Sequence, residues 1–319
     1  VELDFGRARE ALAGIARGTP LVWSPGLSEV AGVPVHLKLE NLQVTGSFKV
    51  RGAAARLTAL GPAERSAGVV VSSSGNHGRA VAFVAERLGI PAVVCVPDWV
   101  DPVKLEAIRG HGARAVLSGG TFDEAEARAL EIAAREGLTF VSAFDDPWVI
   151  AGQGTLALEI VEELPGTGHV LAALSGGGLV GGMAAAVRAP GGPDLVAVTA
   201  RRARVMWESL RAGRPVSLPE EETVAGALAG GIGEENRYSF DLVRSLVEEH
   251  VVVEEDEILD AIAFAFKELH VVVEGGGAVG LAAVLSRRWR PPPGDARPVV
   301  IVVSGGNVAF PTLREILAR

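Results

Sequence analysis

From about Gly68 onward, short apolar runs rich in β-branched residues alternate with longer stretches of helical period. Val69–Ser72, Ala92–Val96, Arg114–Leu117, Leu138–Val141, Val170–Leu174, Leu195–Thr199 and Val299–Val303 read as strands. Asn76–Leu88, Pro102–Gly110 (opened by its proline), Phe122–Glu136, Pro147–Leu164 and Leu179–Arg188 read as helices. Two or three more helices are expected between Thr199 and Val299. Strands that are apolar throughout, separated by helices, belong to a parallel sheet covered on both faces, so the chain is α/β. No change of composition marks a flexible linker, and no internal repeat is detectable. Arg287–Arg297, with three prolines, reads as a stiff surface excursion, and Glu220–Glu222 as a solvated acidic loop.

Composition narrows the function classes. The 319 residues can bury a sizeable core, whether as two lobes or one large unit. A net charge of −9 argues against a nucleic-acid partner, which would need clustered Lys and Arg to neutralise phosphates. The apolar runs are strand-length, far short of the ~20 residues that span a bilayer, so no membrane association is expected. Val1–Ala11 lacks the apolar core of a signal peptide. Cys95 is the only cysteine, which excludes an intrachain disulfide and fits a reducing cytoplasm; within the apolar run Ala92–Val96 it reads as a buried small hydrophobe. Of the 30 basic residues only Lys38, Lys49, Lys104 and Lys267 are lysines, and asparagine occurs four times.

Three strands end in similar turns: Val69–Val71 leads into Ser72-Ser73-Ser74-Gly75-Asn76-His77-Gly78, Val170–Leu174 into Ser175-Gly176-Gly177-Gly178-Leu179, and Val299–Val303 into Ser304-Gly305-Gly306-Asn307. Ligands of open α/β sheets bind beyond the carboxyl ends of strands, where glycines let backbone approach an anion and the next helix offers free N–H groups. Ser175–Gly178 is the best phosphate cradle of the three, although a lone glycine turn can simply connect strand to helix. Neither a P-loop nor a dinucleotide fingerprint is satisfied, so a phosphate-sized anion fits better than a dinucleotide. Lys49 supplies candidate chemistry. It sits at a helix start behind Ser47, a good N-cap, where its charge opposes the helix dipole; beside Phe48, desolvation would lower its pKa and free the amine for imine formation. On position alone it could equally be a solvated lysine. Lys38, alternating with Leu37 and Leu39, reads as the exposed side of a strand, and Lys104 and Lys267 as helical residues among acids.

The string Lys38-Leu39-Glu40-Asn41-Leu42-Gln43-Val44-Thr45-Gly46-Ser47-Phe48-Lys49-Val50-Arg51-Gly52 resembles the cofactor-lysine motif of the threonine dehydratase and serine racemase family, the fold-type-II pyridoxal phosphate enzymes related to the tryptophan synthase β chain. Ser73–Gly78, Val149-Ile150-Ala151-Gly152-Gln153-Gly154-Thr155, Ser175–Gly178 and Ser304–Asn307 match further family strings in order, so the likeness runs from about Pro20 to Asn307. It implies a two-lobed open parallel-sheet fold, with residues 1–48 and 145–319 forming a large cofactor-binding domain and 49–144 a smaller domain able to move. It implies that Lys49 holds pyridoxal 5′-phosphate as an imine and later takes the Cα proton, with Phe48 beside it. Asn76 would bond the cofactor's 3′-oxygen; Gly176, Gly177, Gly178 and Leu179 would bind its phosphate through backbone N–H groups; and Ser304 would sit at the pyridine nitrogen. Ser73, Ser74, Gly75, Asn76 and His77 would hold the substrate carboxylate. Ser74, by resemblance to the racemases, is also a candidate acid on the face opposite the lysine, although a serine after a strand is commonly a turn residue. A serine at the pyridine nitrogen leaves the ring a weaker electron sink than a carboxylate would, which suits fast loss of a β leaving group.

The expected function is a cytoplasmic pyridoxal phosphate lyase that releases a 2-oxo acid and ammonia from threonine or serine, and the family implies a homo-oligomer. The alternatives are a serine racemase or β-replacement enzyme on the same cofactor, or a non-catalytic binding protein. Several residues depart from the family pattern. Ser175 replaces the first of four glycines and could add a hydroxyl donor; Arg79 stands where glutamine is common; and Glu274-Gly275-Gly276-Gly277-Ala278 replaces a Glu-Pro pair. Phe144 and Asp145 are read as loop packing rather than pocket lining. Metal-activated members carry acidic ligands after the strand that here is Leu195–Thr199, whereas this chain reads Ala200-Arg201-Arg202-Ala203-Arg204, so no metal site is expected there. With twelve residues after Asn307, no carboxyl-terminal regulatory domain is expected.

Overall fold

The computed structural model describes residues 2–319 apart from Ser74, Trp99 and Asp101. The chain opens with α1 (Phe5–Leu12), β1 (Leu21–Trp23), α2 (Pro25–Ala31), β2 (Val35–Leu39), α3 (Lys49–Thr58) and α4 (Pro62–Ala67). There follow β3 (Val69–Ser72), α5 (Asn76–Leu88), β4 (Ala92–Val96), α6 (Pro102–Arg109), β5 (Arg114–Leu117), α7 (Phe122–Glu136) and β6 (Thr139–Phe140). The remainder is α8 (Pro147–Glu163), β7 (His169–Ala173), α9 (Gly178–Ala186), β8 (Asp194–Ala200), α10 (Val205–Ala212), α11 (Ser239–Leu246), β9 (Glu249–Val253), α12 (Glu255–Glu268), α13 (Gly275–Leu285), β10 (Val299–Val303) and α14 (Phe310–Leu317).

These strands form two sheets. Six strands run in the order β1-β2-β10-β7-β8-β9, with only the β1–β2 pairing antiparallel. Four run in the order β5-β4-β3-β6, all parallel. The central strands β7 and β10 are buried at every position, which is why they lack hydrophobic alternation. The register of Val303 beside Leu39 brings the carboxyl ends of β10 and β2 together, so that Ser304 and the chain before α3 emerge at the same end of the sheet. The second sheet packs its own apolar layer, Val69, Val71, Val94 and Val96, against α3 and α5.

Two sequence expectations need correction. Lys38 is not on an exposed face: it is 0% exposed, its Nζ donating to the carbonyl of Thr19 at 2.8 Å and pairing with Glu159 at 3.1 Å and Glu163 at 2.5 Å. The antiparallel β1 and helix α8 bring these partners over the strand, a tertiary contact that alternation along β2 cannot reveal. The region between Thr199 and Val299 holds four helices, α10 to α13, rather than two or three, and also a strand, β9, paired with β8. Its sequence Glu249-His250-Val251-Val252-Val253 reads ambiguously because it is an edge strand that opens on two polar residues.

Candidate active site

Lys49 occupies the first position of α3. The preceding residue, Phe48, donates its N–H to the carbonyl of Ser304 at 3.0 Å, and Ser47 bridges to Gly305, so the helix start is pinned to the end of β10. Ser47 does not cap the helix as expected. Phe48 is the N-cap residue, without a side-chain cap bond, because the bridge to Gly305 commits Ser47 to extended pairing; the buried Ser47 hydroxyl has no partner among the described residues. The Lys49 Nζ lies 5.1 Å from the Phe48 ring centroid and donates to the carbonyl of Ala143 at 2.7 Å. Desolvation brings its pKa down to about 8 from 10.5. No carboxylate among the described residues pairs with it.

The β7–α9 turn is built by close packing. A Cβ on Gly176 would lie 2.2 Å from the Phe144 ring, and one on Gly178 would lie 2.6 Å from the Phe144 carbonyl. Gly177 adopts φ +86, a conformation that favours glycine. Helix α9 starts at Gly178 with no side-chain cap, so N–H groups of its first turn, Leu179 included, remain available to an anion. The Leu179 side chain itself is in the core. Ser175 does not add a donor to the cradle: its hydroxyl donates to the Leu228 carbonyl at 2.9 Å and anchors the neighbouring loop. Ser304 is buried at the end of β10, its hydroxyl 3.3 Å from the Gly276 carbonyl.

The β3–α5 turn faces this assembly. The Gly75 N–H donates to the Ser73 hydroxyl at 3.2 Å, and Gly78 is required because a Cβ there would lie 2.1 Å from the Ser73 carbonyl. The buried His77 ring nitrogen Nε2 meets the Val141 carbonyl at 3.0 Å. Burial, together with the charge of Lys49, pushes its pKa down to about 3, so the ring is neutral. Its one N–H is then spent on Val141, and the ring has no donor left for a carboxylate; backbone N–H groups at the start of α5 and the Ser73 hydroxyl, which accepts from Gly75 and keeps its own proton, remain as donors. Ser74 lies outside the described residues.

Asn76 joins the two halves of the site. Its Oδ1 accepts from Asn307 Nδ2 at 2.7 Å, and its Nδ2 donates to Glu274 at 2.6 Å. Asn307 also accepts from Arg79 at 2.9 Å, so Arg79 is not merely solvated. Asp145 packs as a loop residue: its carboxylate accepts from the backbone N–H groups of Arg237, Tyr238 and Ser239 at 2.7–2.9 Å, at the start of α11. Sequence reasoning missed Glu274 and the Ala143 carbonyl as site components. The former had a signal in its glycine-rich surroundings; a backbone carbonyl has none.

Pyridoxal phosphate fits these residues, with a desolvated lysine, an uncapped glycine-rich helix start and a buried serine hydroxyl converging at the carboxyl ends of the strands. The chain matches the family model of pyridoxal-phosphate dependent enzymes over residues 12–305. It is 41% identical to the L-threonine ammonia-lyase of Thermotoga maritima over 318 residues, covering 99% of this chain and 78% of that one. Maize serine racemase superposes with a TM-score of 0.91 at 32% identity, covering 100% of this chain and 98% of the other. Threonine deaminase isoform 2 of Solanum lycopersicum superposes with a TM-score of 0.88 at 32% identity, covering 98% and 87%. The chain is therefore a fold-type-II enzyme. It belongs to the pyridoxal-phosphate dependent family and uses that cofactor.

Proposed function

We propose that this enzyme is an L-threonine/L-serine ammonia-lyase in which Lys49 carries the cofactor and serves as the base. The observation that supports this most directly is the Lys49 amine, which is desolvated to a pKa of about 8, free of any described carboxylate, and held by one backbone carbonyl. Bound pyridoxal phosphate withdraws electrons from the Cα of an attached amino acid, making that carbon acidic. Lys49, once released from the cofactor, would take the Cα proton, and desolvation favours its neutral amine over that of an ordinary lysine. Gly176, Gly177, Gly178 and Leu179 hold the phosphate through N–H groups at the start of α9, and Phe48 walls the lysine. Asn76 would donate to the cofactor's 3′-oxygen. Ser304 would offer the pyridine nitrogen a neutral hydroxyl rather than a carboxylate, leaving the ring a weaker electron sink that suits prompt loss of a β-hydroxyl. The substrate carboxylate rests on the turn Ser73–His77, mainly through its backbone N–H groups. The β-hydroxyl leaves as water by taking up a proton that the cofactor's phosphate, held at the start of α9, would supply; the enamine set free when Lys49 takes the cofactor back adds water to give a 2-oxo acid and ammonia.

We further read residues 49–144 as a smaller domain that moves against the rest, and the active form as a cytoplasmic homo-oligomer. The exposed Trp23 and Phe310 offer apolar surface for such an assembly, and sedimentation measures its size. The activity is tested by following 2-oxo acid and ammonia release from L-threonine, L-serine and their D forms. Release from neither L substrate by the cofactor-loaded protein rejects the reading. Chiral chromatography of the residual serine tests the racemase alternative, in which Ser74 would return the proton from the opposite face. D-serine formed from L-serine and abolished by Ser74→Ala would favour it.

A further inference from the structure

We propose that Arg79 is a positioning residue: through a directed chain of hydrogen bonds, Arg79–Asn307–Asn76–Glu274, it fixes which end of the Asn76 amide faces the cofactor. This rests on the reading that Asn76 meets the cofactor oxygen. The two ends of an asparagine amide are nearly alike in shape but opposite in hydrogen bonding, so partners alone decide its orientation.

Here the partners leave no choice. Arg79 Nη1 donates to Asn307 Oδ1 at 2.9 Å, and a guanidinium can only donate. Asn307 must therefore turn its oxygen to Arg79 and its amine the other way, where it donates to the Thr45 carbonyl at 2.9 Å and to Asn76 Oδ1 at 2.7 Å. Asn76 in turn presents its amine, which donates to Glu274 Oε1 at 2.6 Å, and a carboxylate can only accept. With a pure donor at one end and a pure acceptor at the other, flipping either amide would set like groups against each other in a partly buried setting where mismatch is costly.

The backbone is shaped around both ends of this chain. A Cβ on Gly46, which has φ +76, would lie 2.3 Å from Asn307 Oδ1, the oxygen that takes the Arg79 bond. A Cβ on Gly305 would lie 2.1 Å from Glu274 Oε1, the oxygen that takes the Asn76 bond. Arg79 and Asn76 are three residues apart on α5, so the cation stands one turn from the amide it orients. The consequence is that Asn76 offers an N–H, never its carbonyl, to an acceptor oxygen in the site.

The test is a titration of cofactor-free protein with pyridoxal phosphate, followed by visible absorbance, with thermal midpoints confirming that each variant is folded. Arg79→Met is expected to weaken binding by about tenfold, the scale of a lost charge-assisted hydrogen bond, and to shift the absorption maximum of the bound cofactor. Arg79→Lys, also a pure donor, is expected to restore most of both. Asn307→Asp keeps an acceptor for Arg79 but cannot donate to Asn76, and is expected to bind at least as weakly as Arg79→Met. Wild-type affinity and spectrum in Arg79→Met, or no rescue by lysine, would overturn the proposal. Asn76→Ala separates the two layers. If it is impaired while Arg79→Met is not, only the positioning role falls; if it binds as wild type does, the assignment of Asn76 to the cofactor falls as well.

Discussion

Lys49 and Ala143 are joined by a hydrogen bond of 2.7 Å from the lysine Nζ to the backbone carbonyl. A carbonyl orients an amine without neutralising it, whereas a carboxylate would stabilise the ammonium and raise its pKa. Ala143 lies just beyond β6 in the four-stranded half, and Lys49 begins a helix pinned to β10 of the six-stranded half. The reactive amine is thus set where the two sheets meet. Lys49→Ala is expected to remain folded, to form no borohydride-reducible adduct with pyridoxal phosphate, and to lose ammonia release by roughly 10²–10⁴-fold. A reducible adduct that persists in this variant counts against Lys49.

The same amine makes stability depend on pH in a predictable direction. Its folded pKa of about 8 lies below its unfolded value of 10.5. Between these values the unfolded chain binds a proton that the folded chain does not, so cofactor-free protein gains stability as pH rises through this window. Below the folded pKa the cost of a desolvated ammonium is present in full. The thermal midpoint of wild-type apoprotein should therefore rise relative to that of Lys49→Met between about pH 7 and about pH 10. A constant offset between the two proteins would show that the amine is not desolvated.

Gly176 and Phe144 form a second testable pair, since a Cβ on the glycine would lie 2.2 Å from the ring. Neither can yield easily: the Phe144 backbone also packs on Gly178, and Asp145 is tied to the start of α11. Gly176→Ala is expected to distort the phosphate turn and weaken cofactor binding at least about tenfold, an overpacking effect. Adding Phe144→Ala should recover part of that loss, giving a coupling on the order of 1 kcal/mol in a double-mutant cycle. Strictly additive effects would show that the ring is not the obstacle.

The sequence carried most of the chain's secondary structure because its strands are fully buried and its turns are marked by glycine. Asn76–Leu88, Ala92–Val96, Arg114–Leu117, Phe122–Glu136 and Val299–Val303 are observed as expected from apolar patterning. Lys49, the Ser175–Gly178 turn and Ser304 were legible as candidates, and the structure gathers them. What escaped were relations made by tertiary packing. The burial of Lys38 depends on α8 and β1, the Ser47 bridge competes with helix capping, and the neutral His77 ring depends on burial beside the Lys49 charge. No local pattern encodes these.

The loop after β8 suggests that activity is indifferent to chelators of divalent ions. Arg201 pairs with Glu254, Arg204 with Glu221, and Arg202 donates to the Glu222 carbonyl. These guanidinium groups engage oxygens that a hard cation would need, and their charges oppose a cation nearby. Treatment with EDTA should leave ammonia release unchanged. A loss reversed by magnesium would reveal a site formed by other oxygens.

Arg51 is where the largest stability loss from a single charge removal is expected. Its side chain is fully buried, with Nε donating to Glu40 at 2.8 Å and Nη1 to Glu159 at 2.6 Å. Glu40 is also fully buried, and its other contact, the Thr19 hydroxyl, is neutral. Arg51→Met would keep much of the side-chain volume but leave the Glu40 carboxylate in the interior without its cation. Breaking a buried pair in this way costs about 3–5 kcal/mol, far more than the pair's net contribution, because the desolvated charge that remains is uncompensated. Glu159 should suffer less, since it keeps Lys38 at 3.1 Å and is partly exposed. Arg51→Met combined with Glu40→Leu removes both charges and should recover a substantial part of the loss. Denaturant midpoints of the wild type, the single variant and the double variant measure this directly. A single variant as stable as wild type would mean that Glu40 becomes protonated or reaches water at little cost.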